Sequence, residues 1–234
     1  MYLSAWRNPL SARPEVVSQF ALRSRAEGRP GRILIEQRGT MRMKPDGRWL
    51  PFSAEEWFSE SELAFCWYAR LRALPLVTVV VKDAYQDGHG RLDAKVWGAI
   101  PVAHDEGPKV DHGQVQRYLA ELPWNPRALL ANPDLRFGPG PGGAVRVWVG
   151  EPSCYVDLHF DERGDIVRTY TETRHRGQEG ATPWEGHFSD YGVWGGVRCP
   201  ARGHVSWILP GGRFTYWRGK VTSVRREHCD GELV

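Results

Sequence analysis

Strand-length runs separated by turn residues occupy the chain on both sides of one interior helix, and this alternation limits the fold more than any other feature. From Ala64 to Ile100 the runs "AFCWYARLR", "LVTVVVK" and "RLDAKVWGAI" follow one another, the last two joined by "DAYQDGHG". The middle run is apolar on both faces, which predicts a strand covered on both sides. After a loop at 132–143, "YVDLHF" and "IVRTYTET" flank the turn "DERGD", and "HVSWIL" and "FTYWRG" flank "PGGR". Both read as hairpins. Earlier, "GRILIEQRGTMRM" reads as a strand with Ile33 and Ile35 on one face and a turn or bulge at Gly39. No period of repeat length occurs, so the strands belong to one large antiparallel sheet in an α+β fold, and a sheet of that size curls.

Three segments carry helix signals. In "PEVVSQFALRS", Val16, Val17, Phe20, Ala21 and Ser24 recur at helical spacing after Pro14. In "FSAEEW", Ser53 and Glu56 form a capping box that predicts a short helix. The interior helix is predicted over 111–122, where Asp111 and Gln114 cap the start, Val115, Tyr118, Leu119 and Leu122 form a buried stripe, and Pro123 ends it.

That helix holds a pair in an unfavourable arrangement. Arg117 precedes Glu121 by four residues, the weaker order, and Glu121 sits at the negative end of the helix dipole. Three placements satisfy the pair: a buried ion pair, a surface pair, or a ligand-facing Arg117 held by Glu121, with Tyr118 and Trp124 beside it.

Composition excludes several classes. The net charge of +3 gives no general case for nucleic acid or a membrane surface, and no apolar run is long enough to span a bilayer. Cys66, Cys154, Cys199 and Cys229 lack metal or redox spacing, which predicts reduced thiols in a cytoplasmic protein. Eleven Trp among 234 residues make an aromatic-walled cavity an expectation. From Tyr191 to Arg226 the chain has no acid, and its basic residues, Arg218 among them, alternate with Trp207, Phe214, Tyr216 and Trp217.

Catalytic signatures for serine hydrolases, zinc peptidases, nucleotide phosphate loops and zinc clusters are missing. "DAYQDGHGRLD" concentrates Asp83, Asp87, His89 and Asp93, which suit a tight turn, an acid/base pair or, least well, a metal. In "YVDLHF", Tyr155, Asp157 and His159 share one face, read as solvated.

"RWLPFSAEEWF", "DAYQDGHG", "DHGQVQRYLAELPWNPRALL", "TPWEGHFSDYG" and "YWRG" together resemble an uncharacterised bacterial family known only as a domain of unknown function. The likeness spans roughly residues 35–225. That family in turn resembles the curved antiparallel half-barrel of bacterial lipoprotein carriers, which implies a sheet wrapped around an apolar cup plugged by helices. Many such relatives carry an N-terminal membrane segment, and none is read here. The resulting division is an N-terminal helical segment, 1–30, and a single β-cup domain, 31–234.

The sequence thus predicts a cup for an apolar or amphipathic small molecule, aromatic, polyketide-like or lipid-like, with no cofactor or metal, and leaves open whether it also performs acid/base isomerase or cyclase chemistry. Asp83, His89, Glu121 and Arg218 are the acid/base and charge-stabilising candidates, with Arg218 placed on the face of Phe214 and Tyr216. Arg117, Tyr118, Trp124, Tyr191, Trp207 and Tyr216 are the ligand contacts. A non-catalytic lipid or lipoprotein-type carrier is the alternative, and a nucleic-acid surface on the basic C-terminal strands is the third reading, not expected to hold.

Overall fold

In the computed structural model, which describes residues 13–227, thirteen strands join in one antiparallel sheet. The first wing is β1 (Arg32–Met41), β2 (Leu50–Ser59), β3 (Phe65–Leu74), β4 (Val77–Gln86), β5 (His89–Val96) and β6 (Ile100–Glu106). The second is β7 (Arg136–Pro139), β8 (Val145–Trp148), β9 (Tyr155–Phe160), β10 (Ile166–Thr171), β11 (Trp184–Trp194), β12 (Val197–Leu209) and β13 (Gly212–Glu227). Each wing is a meander, and the two meet where β13 returns to pair with β1, so β6 and β7 are the free edges.

The helices are α1 (Glu15–Arg23), α2 (Pro108–Ala120) and α3 (Ala128–Ala131). Between the two wings in sequence, α2 packs on β4, β5 and β6 from the first and on β8, β9 and β10 from the second. One helix therefore fills the open side of the curved sheet. Val115, Tyr118, Leu119 and Leu122 are all buried, as their spacing predicts. α1 adds Val17, Phe20 and Ala21 to the same core. No described helix is long and apolar enough to cross a membrane.

A row of glycines lets aromatic rings lie directly on the sheet. Gly39, Gly219 and Gly203 face one another across β1, β13 and β12. A Cβ on Gly39 would stand 2.8 Å from the Phe52 ring, and one on Gly203 would stand 2.9 Å from the Trp124 ring. Gly39 is thus a close-approach position inside a continuous strand, not the expected turn; the register shift in β1 lies between Glu36 and Gln37.

Other expectations are corrected. Residues 53–56 form no helix: they lie in β2, paired on both sides, with Phe52, Ala54, Glu56 and Phe58 pointing inward. Two full ladders outweigh one local cap, worth about 1 kcal/mol against a costly helix nucleus. Helix α2 starts at Pro108 after Gly107, and no capping box forms: Asp111 accepts the Gly90 N–H at 2.6 Å, and Gln114 donates to Asp83. Val77, Val79 and Val80 of β4 are half-buried, because the helices cover only one face of the sheet. The expected loop at 132–143 contains strand β7. Tyr155 and Asp157 are buried, and Asp157 holds Arg146 at 2.7 and 2.9 Å, so that face of β9 is not solvated. Cys66, Cys154 and Cys199 are free thiols, and Cys229 lies outside the described residues.

Candidate functional site

Arg117 resolves the pair read from the sequence. Projecting from α2, its Nη2 donates to Glu56 Oε1 at 2.7 Å, its Nη1 to Asp83 Oδ2 at 2.5 Å, and its Nε to Glu121 at 3.2 and 3.3 Å. The ion pair is buried, and Glu121 is one of three carboxylates on a single guanidinium. The Phe65 and Trp67 rings lie 5.1 and 5.2 Å from the guanidinium carbon. Gln37 bridges Trp67 to Glu56, accepting from the indole at 3.0 Å and donating to the carboxyl at 3.0 Å. Every element of this cluster is fixed by β-sheet register or by α2.

Three acids around one base cannot all ionise without cost. Burial and then the neighbouring Glu121 raise the Glu56 pKa well above the usual carboxyl range, and burial raises Glu121 as well, against the pull of Arg117. Both shifts favour the neutral form of these carboxyls, which brings the cluster closer to neutrality. Burial opposes the Arg117 charge too, but its three carboxylates more than offset that and keep it protonated.

Asp83, Arg117 and Glu121 form the polar end of a 240 Å³ chamber. Its wall is aromatic, with Trp67, Trp184, Trp207, Tyr216 and Trp217 around it. Trp207 stacks on Tyr216 with centroids 6.2 Å apart, and the Trp184 indole donates to the Tyr216 hydroxyl at 3.1 Å. At the neck, Arg174 and Leu92 also line a 570 Å³ mouth beside the start of α2.

Of the residues anticipated from sequence, Asp83, Arg117, Glu121, Trp207 and Tyr216 converge on this chamber. The others do not. His89 is exposed beside the two-residue turn Asp87–Gly88, where both residues have positive φ, so the local sequence serves a hairpin. Tyr118 is buried in the core, donating to the Ser59 carbonyl at 3.1 Å and accepting from Asn132 at 3.1 Å. Trp124 packs edge-on against Phe188 and Trp217 and donates to the Pro200 carbonyl at 2.9 Å. Tyr191 packs on Phe20 of α1 and donates to the Ile166 carbonyl at 2.7 Å.

Arg218 points to the opposite face from the one predicted. The register of β12 and β13 shifts between Val205 and Ser206, so Tyr216 is an extra residue in β13, and Trp217 faces Val205 while Arg218 faces His204. The bulge reverses the alternation beyond it. Arg218 therefore joins an open trough of 960 Å³ on the sheet face away from the helices, with the stacked pair His187 and His204, 4.8 Å apart.

Sequence reasoning missed Glu56, Arg174, Trp67, Trp184 and Trp217. A period-two reading of "PFSAEEWF" places Glu56 on the inward face with Phe52, Ala54 and Phe58 and could have found it. Among the described residues, no group of three or more His, Cys, Asp or Glu side chains could hold a metal ion.

Residues 7–219 match DUF6544, described as a family of unknown function. No curated protein matches. Among solved structures, a Vibrio parahaemolyticus domain described as a candidate outer membrane lipoprotein-sorting protein superposes with a TM-score of 0.50 at 7% identity, covering 92% of this chain and 93% of that one. That likeness shows a shared fold. A LolA superfamily protein from Nitrosomonas europaea gives 0.42 at 9% identity, covering 89% and 93% of the two chains. A DUF1329 family protein from Desulfovibrio piger gives 0.47 at 10% identity, covering 94% of each.

Proposed function

The chain belongs to DUF6544, and we propose that it is a carrier that binds an apolar or amphipathic small molecule in the chamber between α2 and the sheet. The observation that supports this is the aromatic wall of Trp67, Trp184, Trp207, Tyr216 and Trp217 closed at one end by a charge cluster whose members already satisfy one another. Chamber and mouth, at 240 and 570 Å³, together fall in the size range of small-ligand sites, whereas the chamber alone is below it. The lipoprotein-sorting description of the Vibrio domain fits a carrier, but a fold hosts many functions, and the reading rests on the chamber.

Carriage is favoured over isomerase or cyclase chemistry by how the polar groups are used. Arg117 directs its donors to protein carboxylates, so it cannot also act as a free fork for a developing enolate. His89 and Arg218, two of the four acid/base candidates, lie outside the chamber. Catalysis would rest on Asp83 and Glu121 alone.

Native mass spectrometry of protein purified without detergent tests the proposal. An adduct of small apolar mass, released on denaturation and rebound by the stripped protein at one per chain, is expected. A stripped protein that rebinds neither its extract nor any long-chain or polycyclic compound would refute it.

A further inference from the structure

Arg174 is the charged group that the chamber leaves unmatched. It follows β10, and its side chain lies at the neck, lining both the chamber and the mouth. Its Nη1 donates to the Gly113 carbonyl of α2, and its guanidinium carbon lies 4.5 Å over the Trp184 ring. Among the described residues no carboxylate stands within 4 Å of it, and its Nε and Nη2 have no acceptor.

Several other part-buried arginines have a carboxylate partner, while Arg13 and Arg42, away from the chamber, donate to backbone carbonyls instead. Arg117 has Glu56, Asp83 and Glu121; Arg146 has Asp157; Arg168 has Glu185; Arg198 has Asp165; Arg226 has Glu60. The acids nearest Arg174 inside the chamber, Asp83 and Glu121, are engaged by Arg117, and Gln114 takes the other Asp83 oxygen. In the mouth stand Asp105, Glu106, Lys109 and His175, none of them within ion-pair distance of Arg174. Burial is the main influence on Arg174, lowering its pKa; Tyr216 and the more distant Asp83 and Glu121 act against burial without outweighing it, whereas the three carboxylates bonded to Arg117 do outweigh it. A desolvated guanidinium without a counter-ion is unfavourable, and a ligand anion arriving there removes that cost while gaining charge-assisted hydrogen bonds from free donors.

We propose that the carried molecule is a monoanionic amphiphile, a long-chain carboxylic acid in the simplest case, with its apolar tail among the chamber aromatics and its anionic head on the free Nε and Nη2 of Arg174 at the neck. This rests on the reading of the chamber as a binding site and adds the charge of the ligand and its direction. The lining sets that direction, because the aromatic rings line the chamber side of Arg174 and the charged residues Asp105, Glu106 and Lys109 line the mouth side. A cationic head would meet the Arg174 charge, and a neutral one would leave it unmatched.

The experiment compares three ligands of one chain length, decanoate, 1-decanol and decylamine, by tryptophan emission and calorimetry at about pH 8, where the acid is ionised and the amine protonated. In the wild-type protein decanoate should bind about tenfold or more tightly than decanol, and decylamine most weakly. Arg174→Gln should bring decanoate to the decanol level and leave decanol unchanged, and Arg174→Lys should retain part of the preference. Equal affinities in the wild type, or an undiminished preference in Arg174→Gln, would overturn the anion assignment while leaving the chamber as a binding site. No binding of any of the three overturns both. Should Arg174→Gln fail to fold, the wild-type ranking of the three heads still decides.

Discussion

Arg117 on α2 donates to Glu56 on β2 at 2.7 Å, a contact between residues 61 apart in sequence that ties the plugging helix to the middle of the first wing. The guanidinium also holds Asp83 and Glu121, so removing it leaves three buried carboxyl groups without their base. Arg117→Ala should therefore destabilise the fold by about 3–5 kcal/mol in urea melts. A loss near the few tenths typical of surface pairs would show that the cluster does not hold α2 in place.

The same cluster gives a pH dependence of defined sign. The folded Glu56 pKa is raised by burial and by Glu121, so above about pH 4.5 the unfolded chain ionises this residue while the folded chain keeps the proton. Stability from this group is full below that unfolded value and is lost as pH rises toward the raised folded one. Glu56→Gln removes the titration, and its melting temperature relative to wild type should rise between about pH 5 and pH 8. A difference independent of pH would mean that Glu56 titrates normally.

Much of the sheet was legible because its signals are local. Alternation and turn residues marked β3, β4 and β5 and the hairpins β9–β10 and β12–β13, and helical spacing marked the buried stripe of α2. The misreadings arose where a distant partner decides. Ser53 and Glu56 match a helix cap locally, yet β1 and β3 pair with them on both sides. Arg218 faces away because one extra residue, Tyr216, enters β13, and a bulge leaves no trace in the alternating pattern of its own strand. Arg174 carried no signal in "TETRHRG", since its position is set by Gly113 and Trp184.

Arg218 supplies a control. It lies on the trough side with His204, not in the chamber, so Arg218→Gln should leave decanoate and decanol affinities within about twofold and the melting temperature within a few degrees. A large fall in ligand affinity would move the binding site to the other face of the sheet.

The glycine row predicts a packing defect. A Cβ on Gly203 would meet the Trp124 ring at 2.9 and 3.0 Å, and that indole is fixed by its bond to the Pro200 carbonyl. Gly203→Ala should cost about 1–3 kcal/mol in denaturant melts, the usual range for overpacking. A neutral result would mean that Trp124 can withdraw from the sheet.

The central claim is that the aromatic chamber is where the ligand sits, and filling it is the most direct measurement. Val205 lines the chamber from β12, and Val205→Trp places a large side chain into the 240 Å³ space. Calorimetric titration of the stripped wild type with a long-chain amphiphile should show saturable binding at one per chain. In the filled variant, whose fold is checked by its melting temperature and far-ultraviolet spectrum, that binding should fall by about tenfold or more. A folded Val205→Trp protein that binds with unchanged affinity and stoichiometry would contradict the account.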